Sequence, residues 1–96
     1  MANRTFEFWP DYGVHSPLWE KGRNVSLDQL PIADDVRQAI QEWTTNYAED
    51  RLPLEGPGDP DWLAEGQKCL AAIRRSLPDT EVVVTEPWWG EEPKPI

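Results

Sequence analysis

His15 is the only histidine of the chain, four residues after Asp11 and directly before Ser16. A histidine, a carboxylate and a hydroxyl in one loop are residue types that can transfer protons or supply a nucleophile. Their spacing is uninformative, because a nucleophilic serine stands on a strained turn such as Gly-x-Ser-x-Gly, and that motif does not occur in the sequence. We therefore expect no catalytic residues. A small hydrolase or transferase with His15, Asp11 and Tyr12 at its site is kept as an alternative.

Metal and cofactor sites are not expected either. Asp59, Asp61 and Glu65 have a carboxylate spacing that calcium could use, but the calcium-binding loop with its central glycine is missing. Asp59 instead precedes Pro60, which is typical of a helix N-cap followed by the first helical residue. Cys69 is the only cysteine, so it forms no internal disulfide. Inside a helix it is expected to be a small buried side chain with a raised pKa.

The aromatic residues outside the predicted helices are the most informative feature. The chain has six tryptophans, of which Trp43 and Trp62 occupy core-facing helical positions. A core this small cannot easily enclose all of the loop and tail aromatics as well. Because tryptophan is enriched at interaction hot spots, we expect at least one of Trp19, Trp88 and Trp89 to anchor a partner. The loop and tail aromatics are Trp9, Tyr12, Trp19, Trp88 and Trp89.

The chain is strongly acidic, with 9 Lys and Arg residues against 18 Asp and Glu residues and a formal net charge of −9. Nucleic-acid binding is excluded by this deficit of cations, and adhesion to an anionic membrane is disfavoured for the same reason. A negative field attracts a basic protein, although solubility alone also accounts for acidic composition. The carboxylates that crowd the central segment are those of Asp28, Asp34, Asp35, Glu42, Glu49, Asp50, Glu55, Asp59 and Asp61.

Length and hydropathy predict one cytoplasmic domain. No apolar run reaches the roughly 18 to 20 residues that span a bilayer, and the first ten residues lack a signal-peptide pattern. Ninety-six residues leave no room for a second core. We expect a compact domain over residues 1–86 and a tail rich in proline, tryptophan and glutamate over residues 87–96.

The first element that must position these residues is a strand over Arg4–Phe8, where Phe6 and Phe8 alternate with polar side chains. An Asp-Tyr-Gly turn at residues 11–13 follows it. From there to about Gln29 the sequence is consistent with either a short hairpin or a loop held by its apolar residues, and it does not distinguish between them.

Apolar side chains at helical spacing predict a first helix that starts near Asp34 and fades near Glu49. Its N-cap is either Ala33, which offers no side-chain acceptor, or Asp34, which does. Asp34 and Asp35 lie in the first turn, where negative charge complements the helix dipole. The residues predicted to share the inward face are Val36, Ile40, Trp43 and Tyr47.

A second helix is predicted from Asp59-Pro60 to Pro78-Asp79, with Leu63, Leu70, Ile73 and Leu77 facing inward. Gly66 lies inside it at a cost of about 1 kcal/mol relative to alanine. We expect that glycine to allow close packing against an aromatic ring or the sheet.

The β-branched run within Glu81–Glu86 predicts a second strand. Two strands separated by two helices give a small α+β fold in the order β-α-α-β, with a long aromatic loop after the first strand. We expect the strands to be parallel and connected by a right-handed crossover, because the two helices together are long enough for one.

The sequence has two aromatic motifs, Phe-Trp-Pro-Asp-Tyr-Gly at residues 8–13 and Pro-Leu-Trp at residues 17–19. They precede a Leu-Pro-Ile run and a predicted helix bearing Trp43 and Tyr47. This pattern resembles a group of small bacterial proteins that are mostly uncharacterised. The resemblance covers roughly the first half of the chain and implies no reaction, since the shared residues are aromatic and turn residues. In that group the helix often starts with Ser-Pro, whereas Ala33 and Asp34 stand here, which predicts a weaker cap.

By size and charge the chain is also similar to immunity proteins, which block a co-encoded toxin. We therefore predict a non-enzymatic acidic protein-binding module, with an immunity-type inhibitor of a basic toxin or nuclease as its most concrete form. A structural or homodimeric assembly subunit is the other alternative, and the oligomeric state is left open. The predicted binding residues are Trp19, Asp34, Asp35, Glu42, Trp88 and Trp89.

Overall fold

The alternating residues at the start of the chain form the predicted first strand. In the computed structural model, which describes residues 4–53 and 56–84, β1 spans Arg4–Phe8. Phe6 and Phe8 are fully buried on one side of the strand. The strand lies inside a four-stranded mixed sheet whose order is β3-β2-β1-β4.

A hairpin supplies the two strands on one side of β1. β2 spans Leu18–Glu20 and pairs antiparallel with both β1 and β3, which spans Arg23–Asn24. The two residues between them are Lys21 and Gly22, with φ values of 52° and 80°. Positive φ at both central residues is the geometry that matches the right-handed twist of a two-residue hairpin.

The predicted two-stranded β-α-α-β arrangement is therefore wrong. The chain contributes two further strands from the segment that could have been either a hairpin or a loop. These strands are three and two residues long, too short for an alternating pattern to stand out from a loop. They form because β1 offers a free edge on which Leu18 pairs with Phe8 and both side chains enter the core.

On the other side of β1 lies β4, Thr80–Val83, which pairs with it in parallel. The expected parallel alignment is confirmed, while the strand begins one residue before the predicted start. Val82 and Val84 join Phe6 and Phe8 in the core cluster, together with side chains of both helices. The helices therefore pack against one face of the sheet.

The first helix, α1, spans Asp34–Thr45 and ends four residues before the predicted Glu49. Polar side chains close it, since Thr45 Oγ1 donates to the Gln41 carbonyl at 2.9 Å and Asn46 Nδ2 donates to the Glu42 carbonyl at 2.8 Å. Its N-cap is Ala33, which makes no side-chain capping bond. Single-turn 3₁₀ helices lie on either side of α1, at Leu27–Gln29 and Glu49–Arg51.

The second helix, α2, spans Pro60–Ser76. Asp59 is its N-cap, as predicted, and its carboxylate accepts a hydrogen bond from the Trp62 N–H at 3.1 Å. At the other end Arg74 donates to the Val82 carbonyl at 2.7 Å, which ties the helix to β4.

Trp43 of α1 and Trp62 of α2 hold the two helices together. Their rings stack with centroids 4.6 Å apart at an interplanar angle of 16°. Each indole also donates its N–H to the backbone carbonyl of the other tryptophan, at 2.8 Å from Trp43 and 3.2 Å from Trp62. Both rings are buried with their polar atoms satisfied, and Phe8 stacks on Trp43 at 5.4 Å to complete the centre of the core.

Gly66 lies directly against this pair, which confirms the expected packing against an aromatic ring. A Cβ at position 66 would meet Trp43 Cζ2 at 2.5 Å and Cε2 at 3.0 Å. Distances that short are incompatible with a buried, hydrogen-bonded ring, so glycine here sets how closely α2 approaches α1.

Residues 85–96 lie outside the described part of the chain, and with them the predicted boundary at residue 86 and the two tail tryptophans. Among the helices that the structure describes, none combines the length and the apolar character needed to cross a bilayer.

We predict that Gly66→Ala destabilises the protein by about 1–2 kcal/mol, since overpacking outweighs the gain in helix propensity. Urea unfolding followed by tryptophan fluorescence measures it. Gly56→Ala is the matched control, because a Cβ there meets nothing within 4 Å. A rise of about 1 kcal/mol in the unfolding free energy of Gly66→Ala would contradict the clash, because only the gain in helix propensity would then remain.

The uncapped start of α1 gives a second prediction. Ala33→Ser supplies a hydroxyl for the free N–H groups of the first turn and should raise the unfolding free energy by about 0.5–1 kcal/mol. The control is Ala39→Ser, an exposed interior position of the same helix, where serine should be neutral or slightly destabilising. Equal effects of the two substitutions on the melting temperature would contradict a capping role.

Candidate functional site

A groove of about 590 Å³ runs between the loops of the first thirty residues and the outward face of α1. One wall is formed by the loop after β1 and by the segment that includes and follows β3, and the other wall is helical. The lining residues are Gly13, Val14, His15, Ser16, Asn24, Ser26, Leu27, Asp28, Gln38, Gln41, Glu42 and Thr45.

Tyr12 ties the first wall to the far end of α1. Its hydroxyl accepts a hydrogen bond from the Glu49 N–H at 2.9 Å, and its ring contacts that of Tyr47 at 4.8 Å. Gly13 then turns the chain with a φ of 77°, which glycine adopts without strain. Burial raises the pKa of the Tyr47 hydroxyl above its ordinary value, and the nearby Glu49 adds to the effect. The phenol therefore stays neutral at physiological pH.

Hydrogen bonds between the loop after β1 and the segment around β3 hold the wall opposite α1 in place. Asn24 Nδ2 donates to the Ser16 carbonyl at 2.9 Å and to the Leu18 carbonyl at 3.2 Å. Ser16 is 3% exposed, and its hydroxyl accepts a hydrogen bond from the Leu18 N–H at 3.2 Å. Ser26 accepts one from the Asp28 N–H as the N-cap of the first 3₁₀ helix. The position of Asp28 at the groove thus follows from a local cap.

The helical wall is the polar face of α1. Burial of Ile40 and Trp43 turns that face outward, so Gln38, Gln41 and Glu42 line the groove. The Glu42 carboxylate accepts a hydrogen bond from Gln38 Nε2 at 3.3 Å, one turn back along the helix. Glu42 forms no ion pair with any residue that the structure describes.

Arg37 is the cation of α1, and it pairs with an acidic residue at the start of the helix. Its guanidinium donates to Asp34 at 2.9 Å and to the Ile32 carbonyl at 2.9 Å. Arg37 Nε lies 3.7 Å from Asp28 Oδ1, which is longer than a hydrogen bond. Arg37 therefore forms a long ion pair with Asp28, while Glu42 has no ion pair among the residues that the structure describes.

Of the predicted binding residues that the structure describes, only Glu42 lines the groove. Asp34 and Asp35 are exposed in the first turn of α1, and Asp34 is paired with Arg37. Trp19 is half-buried, stacks on Trp9 at 4.2 Å, and donates its indole N–H to the Trp9 carbonyl at 2.8 Å. Trp88 and Trp89 fall outside the described residues.

Sequence reasoning missed most of the groove. The sequence marks Asp28 only as one of many acidic residues, and it gives no sign that polar residues of α1 border a groove. The loop residues carry no periodic signal, because their side chains bond to nearby backbone instead of to a regular element. Ser26 followed by Asp28 is the one local signal, a capping pattern that could have placed Asp28 on a short helix.

His15 and Asp11 lie in a neighbouring hollow of about 260 Å³ together with Tyr12 and Tyr47. Within the described part of the chain no hydrogen bond or ion pair joins His15 to a carboxylate, and Asp11 accepts a hydrogen bond from the Tyr12 N–H. The hollow brings together the residues that the alternative enzymatic interpretation names, and that interpretation stays a prediction.

Cys69 is buried, as expected, and burial raises the pKa of its thiol to about 11, with Glu65 adding to the rise. The thiol is therefore almost entirely protonated at neutral pH, which suits packing better than nucleophilic attack. Over residues 4–53 and 56–84, no three or more His, Cys, Asp or Glu side chains gather as a metal ion would require.

No protein-family model matches the chain, and no curated protein is significantly similar to it in sequence. The resemblance to small bacterial proteins accordingly stays a prediction.

We predict that Tyr12→Phe loosens the wall of the groove. Loss of the hydroxyl acceptor should speed hydrogen exchange of the Glu49 amide severalfold, because that N–H then bonds only to water. Tyr47→Phe, which removes a hydroxyl not bonded to Glu49, is the control. Equal exchange of the Glu49 amide in wild type and Tyr12→Phe would mean that this hydrogen bond does not hold the loop.

Proposed function

We propose that the chain is a non-enzymatic, cytoplasmic protein-binding module that engages a basic partner, in the manner of an immunity protein that blocks a toxin. The observation that carries the proposal is the groove beside α1, which has exposed carboxylates on both sides and one cation, Arg37, nearby. Size, acidity and the similarity to immunity proteins support it.

Charge is concentrated in the part of the chain that contains α1. Residues 25–50 contain six carboxylates and one cation, a formal charge of 1 − 6 = −5 out of the −9 of the whole chain. All six of these acidic residues are exposed. A field of one sign over one surface steers an oppositely charged protein into contact and raises its association rate at low salt.

Aromatic side chains supply apolar contact area beside this field. Tyr12, which lines the neighbouring hollow, is 59% exposed, while its hydroxyl and one side of its ring are held in place. A ring fixed before binding loses little conformational entropy on contact, which favours its use as an anchor. Trp19 and the tail residues Trp88 and Trp89 remain predicted anchors.

A capture experiment at two salt concentrations tests the proposal. Wild type, immobilised and exposed to extract of the source cell, should retain a basic protein at about 50 mM salt and lose most of it at about 500 mM, because screening shortens the reach of exposed charges. The triple variant that combines Asp34→Asn, Asp35→Asn and Glu42→Gln should retain at least severalfold less of the basic protein at low salt.

The matched control carries Asp61→Asn, Asp79→Asn and Glu81→Gln, which remove the same charge from exposed positions outside residues 25–50. It should retain the protein as wild type does. Melting temperatures of both variants show that they are folded. Recovery of no basic protein, retention that ignores salt, or equal losses in the two variants would contradict the proposal.

A further inference from the structure

Several hydrogen-bond donors in the wall of the groove are already used within the protein. Asn24 Nδ2 is engaged by two backbone carbonyls. Thr45 Oγ1 has a single proton, which it directs at the Gln41 and Glu42 carbonyls. The Gln38 amide donates to Glu42. Each of these contacts turns a donor away from the open space, while His15 and Gln41 still offer donors to a ligand.

The acceptors in the same walls are left open. Each carboxyl oxygen accepts more than one hydrogen bond, and Glu42 accepts one from a neutral amide at 3.3 Å. Asp28 lies beyond hydrogen-bond distance of Arg37 Nε, and its side chain is 72% exposed. The Asn24 side-chain oxygen has no hydrogen-bond donor among residues 4–53 and 56–84. Carboxylates and an amide oxygen thus face a ligand from two sides.

A ligand that fits such walls must be cationic and must offer several donors. An anion would lie between two carboxylates, whereas a cation would be attracted by both. An ammonium group provides three donors from one point, whereas a guanidinium group spreads five donors across a plane and can bond to separate acceptors at once. The volume of about 590 Å³ admits a whole extended side chain.

We infer that the groove between Asp28 and Glu42 is the site that receives an arginine side chain of the basic partner. This inference rests on the proposed function and names the chemistry that the same surface recognises. It distinguishes the groove from the first turn of α1, where Asp34 is hydrogen-bonded to Arg37 at 2.9 Å, whereas Arg37 lies 3.7 Å from Asp28.

The test uses a single side chain as the probe. ¹⁵N-labelled protein is titrated with N-acetyl-arginine amide, and in parallel with N-acetyl-citrulline amide, which has nearly the same shape and no charge. N-acetyl-lysine amide is a third arm. The arginine probe should shift the amide signals of residues 13–16 and 38–45 in a saturable manner. The citrulline probe should leave them unshifted, and the lysine probe should bind more weakly than arginine.

Two variants of equal charge locate the site. Asp28→Asn with Glu42→Gln should weaken binding of the arginine probe about fivefold or more, as expected for the loss of two exposed charge pairs. Asp61→Asn with Glu81→Gln removes the same charge elsewhere and should bind as wild type does. Spectra without probe show that both variants keep the fold.

Shifts spread evenly over the acidic surface, or equal weakening in the two variants, would overturn the arginine site. So would stronger binding of the lysine probe than of the arginine probe. The basic partner in the capture experiment could still bind in these cases, so the proposed function would survive. Saturable arginine binding in the groove without capture of any basic protein would support the site and overturn the protein-binding function.

Discussion

The reciprocal contact between Trp43 and Trp62 is the interaction on which the rest of the structure depends. Stacking at 4.6 Å brings large apolar surfaces together, and the two N–H donations satisfy both indoles in a place that water does not reach. Because each donor bonds to the backbone of the other residue, the contact fixes the rotation of each helix as well as their separation. Gly66 makes that separation attainable.

The rotation of α1 has a direct consequence for the candidate site. With Ile40 and Trp43 facing inward, Gln38, Gln41 and Glu42 have to face outward, where the loops after β1 and β3 come to lie beside them. Those loops are held by bonds of their own, from Tyr12 to the end of α1 and from Asn24 to Ser16. The groove therefore has prepared walls on both sides, which lowers the entropy lost when a side chain enters.

Several local features could be predicted from the sequence because their causes lie within a few residues. Alternation at Arg4–Phe8, the Asp59 N-cap and the glycine facing an aromatic ring all follow from local spacing and residue type. The fold class was wrong because β2 and β3 are too short to carry a pattern of their own. The early end of α1 was missed for a related reason, since Thr45 and Asn46 compete for its last carbonyls.

What the sequence alone determined is the class of chemistry: acidic, rich in indoles, with two amphipathic helices and without a recognisable catalytic motif. Those properties follow from the number of residues of each type and from the spacing of residues along the chain. They do not depend on which segments contact one another in the fold. Only the tertiary structure decided that residues 13–16, Asp28 and the polar face of α1 border one groove. Their proximity arises from packing between segments far apart in the chain, and contacts of that kind leave no local pattern to read.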